Sequence, residues 1–225
     1  RRMRQVVADA GSRVPVAFSN LWRGENPQRS AALENGYIED HMYADPQVTS
    51  GLDDLVYKLC RTPIAGKPFI IGELNQSEGQ QNIVKQAPTR SMLPLAASAY
   101  GSLHNWSGIT FFSWVHGDGK VGPDGWATEE LRQASIGNLI TDGMQIDHLR
   151  TCGMIFRRGL LEKSRSPIVL KVDDPMAAAS YHALVRGKHV IKHGWQNIHA
   201  IRKSYGAEPP GQAQARWMVE SPENP

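Results

Sequence analysis

Cysteine is almost absent: 225 residues carry only Cys60 and Cys152, far apart and in no metal-ligand spacing. That argues against a disulfide-stapled scaffold and a zinc module, and leaves two buried free thiols as the default. No apolar run approaches the roughly 20 residues a membrane-spanning helix needs. Charge of one sign is scarce as well, the formal net charge being +3. The short basic clusters at Arg1-Arg2, Arg157-Arg158 and Lys188 to Lys192 read as solvated faces, not as a nucleic-acid footprint. No repeat of solenoid period occurs. Neither nucleic acid nor membrane is expected as a partner, and nothing calls for a cofactor. What remains is the ordinary apolar and charged balance of a globular protein, with length for one large domain or one and a half smaller ones.

The chain is organised around Lys67-Pro68-Phe69-Ile70-Ile71-Gly72-Glu73-Leu74-Asn75. A proline stop, three large apolar residues, a glycine and a lone glutamate read as a strand buried on both faces. A carboxylate in such a strand is costly unless it sits at the open end. Glu73 is therefore expected at the C-terminal mouth of a parallel barrel strand, where (β/α)-barrel enzymes keep their chemistry. The plain alternative is a glutamate that opens a loop or pairs with a rim cation.

Taken in order, residues 1–10 read as a helix already under way, with Met3, Val6, Val7 and Ala10 on one face, as in an internal piece of a longer protein. Val14–Asn20 reads as a strand, Leu21–Asn35 as a loop with a short helix, and Gly36–Tyr43 as a second strand. Gly51–Arg61 carries Leu52, Leu55, Val56 and Leu59 at helical spacing. Gln76–Lys85 reads as a loop, and Ser91–Trp106 as a helix with Ser91 as its N-cap and Pro94 in its first turn. The small run Ala96-Ala97-Ser98-Ala99 would let that helix approach a sheet closely. Gly108–His116 reads as another buried strand, and Ala127–Thr141 and His148–Arg158 as helices. Pro167–Val172 reads as a strand, Gly194–Tyr205 as a short amphipathic helix, and the Pro-, Gly- and Gln-rich tail from Ala207 as disorder.

Strands alternating with helices imply βαβ units and a parallel sheet, an α/β fold. In a parallel sheet all strand mouths face one way, so Asn20, His41, Tyr43, Glu73, Trp114 and His116 are expected to converge. The ordered set Val14–Asn20, Asp40-His41-Met42-Tyr43 with Pro46, Pro68–Asn75 and Gly108–Trp114 resembles the C-terminal half of a retaining glycoside hydrolase. The clan is the one with (β/α)₈ barrels that includes cellulases, mannanases and β-galactosidases. The resemblance implies that residues 1–160 are barrel strands five to eight with their helices, that 161–206 begin a small appended β-containing domain, and that 207–225 are a tail. It also implies Glu73 as catalytic nucleophile and His41 and Tyr43 as the pair closing strand six. Trp114 becomes the aromatic closing strand eight, and a β-linked poly- or oligosaccharide the substrate.

The residues suit that chemistry. Retaining hydrolysis needs two carboxyl groups roughly 5–5.5 Å apart, one nucleophile and one acid/base. A hydroxyl from Tyr43 would hold Glu73 anionic and oriented, and His41 would bond a sugar hydroxyl or tune the acid/base. Trp114 offers a flat apolar face to a pyranose. His116, Asn20 and Trp22 are weaker sugar-binding candidates, and Glu78 and Asp118 read as solvated. The departure is that the clan's acid/base is a Glu preceded by Asn, and no Asn-Glu step occurs here. Only the reversed pair does, at Glu25-Asn26, Glu34-Asn35 and Glu223-Asn224. The acid/base and strands one to four are thus expected in a missing N-terminal half, without which the chain would be poorly folded or inactive. Two other readings stay open: a non-catalytic carbohydrate-binding barrel, and a parallel α/β enzyme with a metal on His41, Glu73 and His116.

Overall fold

The computed structural model describes residues 2–17, 31, 36–44, 59, 62–76, 83–114, 139, 143–171, 195–205 and 216–219. Its first element is helix α1, Arg2–Asp9. Strands β1 (Ile38–Ala44), β2 (Phe69–Gln76) and β3 (Gly108–Phe111) follow, with helix α2 (Ile83–Leu103) between the last two. They form a parallel sheet in the order β1-β2-β3. Helix α3 (Gly143–Arg157) packs on α2. Strands β4 (Ile168–Lys171), β5 (Ile201–Ser204) and β6 (Arg216–Val219) form a second parallel sheet in the order β5-β4-β6.

Side chains alternate along a strand, and here the alternation sorts core from site. Ile38, Phe69, Ile71 and Leu74 are buried against Leu93 and Ala97 of α2. Each such burial contributes roughly 1.5–3 kcal/mol. β2 is therefore buried on one face, not the two its sequence suggested: Ile70, Gly72 and Glu73 on the other side are only half-buried. The close approach of helix to sheet rests on Gly101, where a Cβ would meet Ile109 at 2.8 Å and Phe156 at 3.0 Å. Within the small run before it, Ala97 and Ser98 are buried. α2 closes on Asn105, whose φ of 52° puts it in the left-handed region. Trp106 N–H then reaches Gly101 O at 2.9 Å and Asn105 N–H reaches Ser102 O at 3.0 Å, which satisfies the last carbonyls of the helix.

The second sheet docks at that helix end. The Arg202 guanidinium donates to the carbonyls of His104 and Asn105, and Tyr100 hydroxyl donates to Asn197 at 2.8 Å. β5 also pairs with the turn before β2, Ala65 N–H to Lys203 O at 2.7 Å and Lys203 N–H to Pro63 O at 2.8 Å. The second sheet therefore sits at the N-terminal ends of β1–β3, away from their C-terminal mouths.

Several elements differ from expectation. Residues 14–17 are not a strand, although Gly36 N–H reaches Val16 O at 3.1 Å. α2 begins at Ile83, so Ser91 is interior and not an N-cap, and both Pro88 and Pro94 lie within the helix. β3 ends at Phe111, before Trp114. α3 begins at Gly143, five residues earlier than read. Of Gly194–Tyr205 only Trp195–Asn197 is helical, as a 3-10 turn, and Ile201–Ser204 is a fully buried strand. In the tail read as disordered, the apolar Trp217-Met218-Val219 run falls in β6. Most of the helices read at 51–61 and 127–141 lies outside the described residues.

Candidate functional site at the mouths of the first two strands

Glu39, His41 and Tyr43 share the outer face of β1, two residues apart. Across the strand pair the register slips by one: Asp40 faces Ile71, but His41 faces Glu73. Gly72 is the extra residue, and a bulge of this kind turns two consecutive residues to one face. Glu73 thereby comes to lie beside His41 instead of following Ile71 into the core.

The carboxylate of Glu73 is gripped at one oxygen. Tyr43 hydroxyl donates to Oε2, and His41 Nδ1 lies 3.1 Å from the same atom. Among the described residues no hydrogen bond reaches Oε1. The side chains are partly accessible, Glu73 at 28 % and His41 at 12 %. On its other side, His41 Nε2 lies 3.2 Å from Oε1 of Glu39, itself 26 % exposed. The four groups form one line: Glu39, His41, Glu73, Tyr43. Each gap flanking the imidazole is of hydrogen-bond length, so which carboxylate the ring donates to depends on its tautomer. Glu39 is not a partner carboxylate across a scissile bond, because the imidazole fills the space between it and Glu73.

Neighbouring groups brace this line. Phe112 packs its ring edge-on to Tyr43, centroids 6.4 Å apart at 85°. Asn75 is buried and donates from its amide to Phe112 O, tying β2 to the exit of β3. The Phe112-Ser113 peptide there is cis. Behind β1, Asp40 is 3 % exposed. Its carboxylate accepts from Thr62 hydroxyl at 2.6 Å and from His41 N–H at 2.9 Å. Burial pushes its pKa from 3.8 up to about 7, and those two hydrogen bonds offset only part of that.

No family of known proteins, no curated protein and no solved structure matches this chain.

Of the residues singled out by sequence, the structure joins His41, Tyr43 and Glu73. Trp114 lies beyond the end of β3 at 58 % exposure, and no described contact links it to Glu73. Asn20, His116, Trp22, Glu78 and Asp118 lie outside the described residues. Among the described residues no three His, Cys, Asp or Glu side chains converge as a metal site. Both ring nitrogens of His41 face carboxylates, so the metal set of His41, Glu73 and His116 would have to displace one of them. Sequence reasoning gave no role at the site to Glu39, Asp40, Thr62, Gly72, Asn75 and Phe112. Glu39 alone carried a signal, the period of two it shares with His41 and Tyr43.

Proposed function

We propose that this chain is the strand-five-to-eight half of a (β/α)₈ barrel from a retaining glycoside hydrolase, with Glu73 as its nucleophile. The observation that supports this best is the asymmetric grip on Glu73. Tyr43 hydroxyl donates to Oε2 and His41 Nδ1 lies beside the same atom, while among the described residues no hydrogen bond reaches Oε1, the oxygen proposed to attack. Contacts on one oxygen fix the plane of the carboxylate, as a nucleophile requires. In the first step Oε1 bonds to the anomeric carbon and the glycosidic C–O bond breaks, the leaving oxygen taking a proton from an acid/base carboxyl. In the second, water attacks the same carbon, the ester C–O bond breaks, and the acid/base recovers the proton. No Asn-Glu step occurs in the chain, so this reading requires the acid/base to come from barrel strands outside it. His41 and Tyr43 would serve Glu73 directly, while Trp114 and the weaker candidates Asn20 and His116 would meet the sugar.

The test is a mechanism-based fluorosugar on the complete protein, followed by peptide mass spectrometry. A glycosyl ester on Glu73, absent in Glu73→Gln, is the expected result. No adduct, with sugar binding retained in calorimetry, would leave the carbohydrate-binding barrel in its place.

A further inference from the structure

Glu39 has no part in the chemistry above, yet its Oε1 lies 3.2 Å from Nε2 of His41. Its carboxylate crosses the backbone of β2 over Gly72, where a Cβ would collide with Glu39 Oε1 and lie 3.0 Å from His41 Nε2. Only a glycine leaves that path open, and the glycine is also the extra residue of the bulge that turns Glu73 toward His41. One position therefore serves both ends of the imidazole.

We infer that Glu39 is a positioning residue: as an anionic acceptor at Nε2, it makes His41 the second donor to Glu73. The reason lies in what a neutral imidazole can do. With one proton, it serves one of its two carboxylate neighbours and turns a lone pair on the other. If the proton sits on Nε2, Nδ1 faces Glu73 Oε2 lone pair to lone pair, and the grip falls to Tyr43 alone. An anionic Glu39 favours the form that donates from both nitrogens, because an opposite charge at hydrogen-bond distance stabilises the imidazolium. Glu39 thus acts on Glu73 without touching it, and a second-layer carboxylate orienting an imidazole is a recurrent device.

This inference rests on the reading of Glu73 as a nucleophile, but its first measurement does not. In the complete protein labelled with ¹⁵N-histidine, His41 is expected to show two protonated ring nitrogens at the pH of assay. In Glu39→Gln one of them is expected to revert to a lone-pair shift. The kinetic arm uses an aryl glycoside of the protein's own substrate class. Glu39→Gln is expected to lower kcat about 10-fold to 100-fold with KM within about 3-fold, and Glu39→Asp to recover part of the loss. A wild-type His41 carrying a lone pair, or a Glu39→Gln variant with wild-type kcat and both nitrogens protonated, would overturn the inference. If no glycosyl ester forms at Glu73, the enzyme reading falls while the nitrogen shifts still decide whether Glu39 sets the protons on His41.

Discussion

Gly72 and Glu39 occupy complementary space: the position a Cβ would take on Gly72 lies 2.9 Å from Cδ of Glu39, inside the contact distance of two carbons. Gly72 has no left-handed φ, so its backbone would accept alanine and the conflict is purely steric. Gly72→Ala is expected to change the unfolding free energy by no more than about 0.5 kcal/mol in chemical denaturation, because the atoms a Cβ meets first belong to the end of the flexible, partly exposed Glu39 side chain. It should also dislodge Glu39 from His41. The double variant Gly72→Ala/Glu39→Gln should then be no less active than the worse single one, because both changes break the same link. Additive losses would separate Gly72 from the Glu39 line.

Tyr43 hydroxyl is the other donor on Oε2 of Glu73. A hydrogen bond to a charged group is worth roughly 1.5–3 kcal/mol. If Glu73 is the nucleophile proposed above, Tyr43→Phe is thus expected to slow formation of the glycosyl ester about 10-fold to 100-fold. The ring still packs on Phe112, so the melting temperature should move little. Stopped-flow measurement of leaving-group release separates ester formation from its hydrolysis, and an unchanged first phase would show that Tyr43 does not act on Glu73.

How much of this was visible in the residues depends on how local the cause is. Glu39, His41 and Tyr43 share a period of two along one strand, and that this strand neighbours the one carrying Glu73 follows from the parallel order. That Glu73 faces His41 needed the bulge at Gly72, and a register slip is a property of the strand pair that neither strand announces. Ser91 as a cap and Pro94 in the first turn argued for a helix starting at Ser91, whereas the helix begins at Ile83. Ile198 and Ile201, three apart, imitated a helical face. The segment instead turns after Ile198 and enters a sheet whose neighbours lie more than 30 residues back in the chain. Val14–Asn20 reads as a strand by composition, but its described part, 14–17, is not one.

Asp40 makes stability depend on pH. Its folded pKa of about 7 against 3.8 for an unperturbed carboxyl means the native state keeps a proton that the unfolded chain releases. The corresponding stability is fully present below about pH 4 and is lost as pH rises through about 7. Over that window Asp40 is expected to cost on the order of 4 kcal/mol. Asp40→Asn can still accept from His41 N–H and meet Thr62, without the charge. Unfolding free energies measured from pH 4 to pH 8 should favour the variant increasingly as pH rises. A difference between the two proteins that stays flat over this range would show that Asp40 is not protonated in the native state.

On the proposed reading, Trp114→Ala should separate sugar binding from turnover. At 58 % exposure it has little core to lose, so Trp114→Ala should change stability by no more than about 0.5 kcal/mol. An indole face laid on a sugar buries apolar area in the ground state and the transition state alike. Removing it takes away uniform binding, which raises KM and leaves kcat nearly unchanged. Aromatic contacts of this kind are worth about 0.5–1.5 kcal/mol beyond the area they cover, so a loss of about 3-fold to 30-fold in affinity is expected. Titration calorimetry with an oligosaccharide measures it directly, with the fluorescence of Trp114 as a second signal. Because no described contact ties Trp114 to Glu73, the effects of Trp114→Ala and Tyr43→Phe should add in free energy. A cycle that fails to close would mean that the tryptophan reaches the reacting carboxylate when sugar is bound.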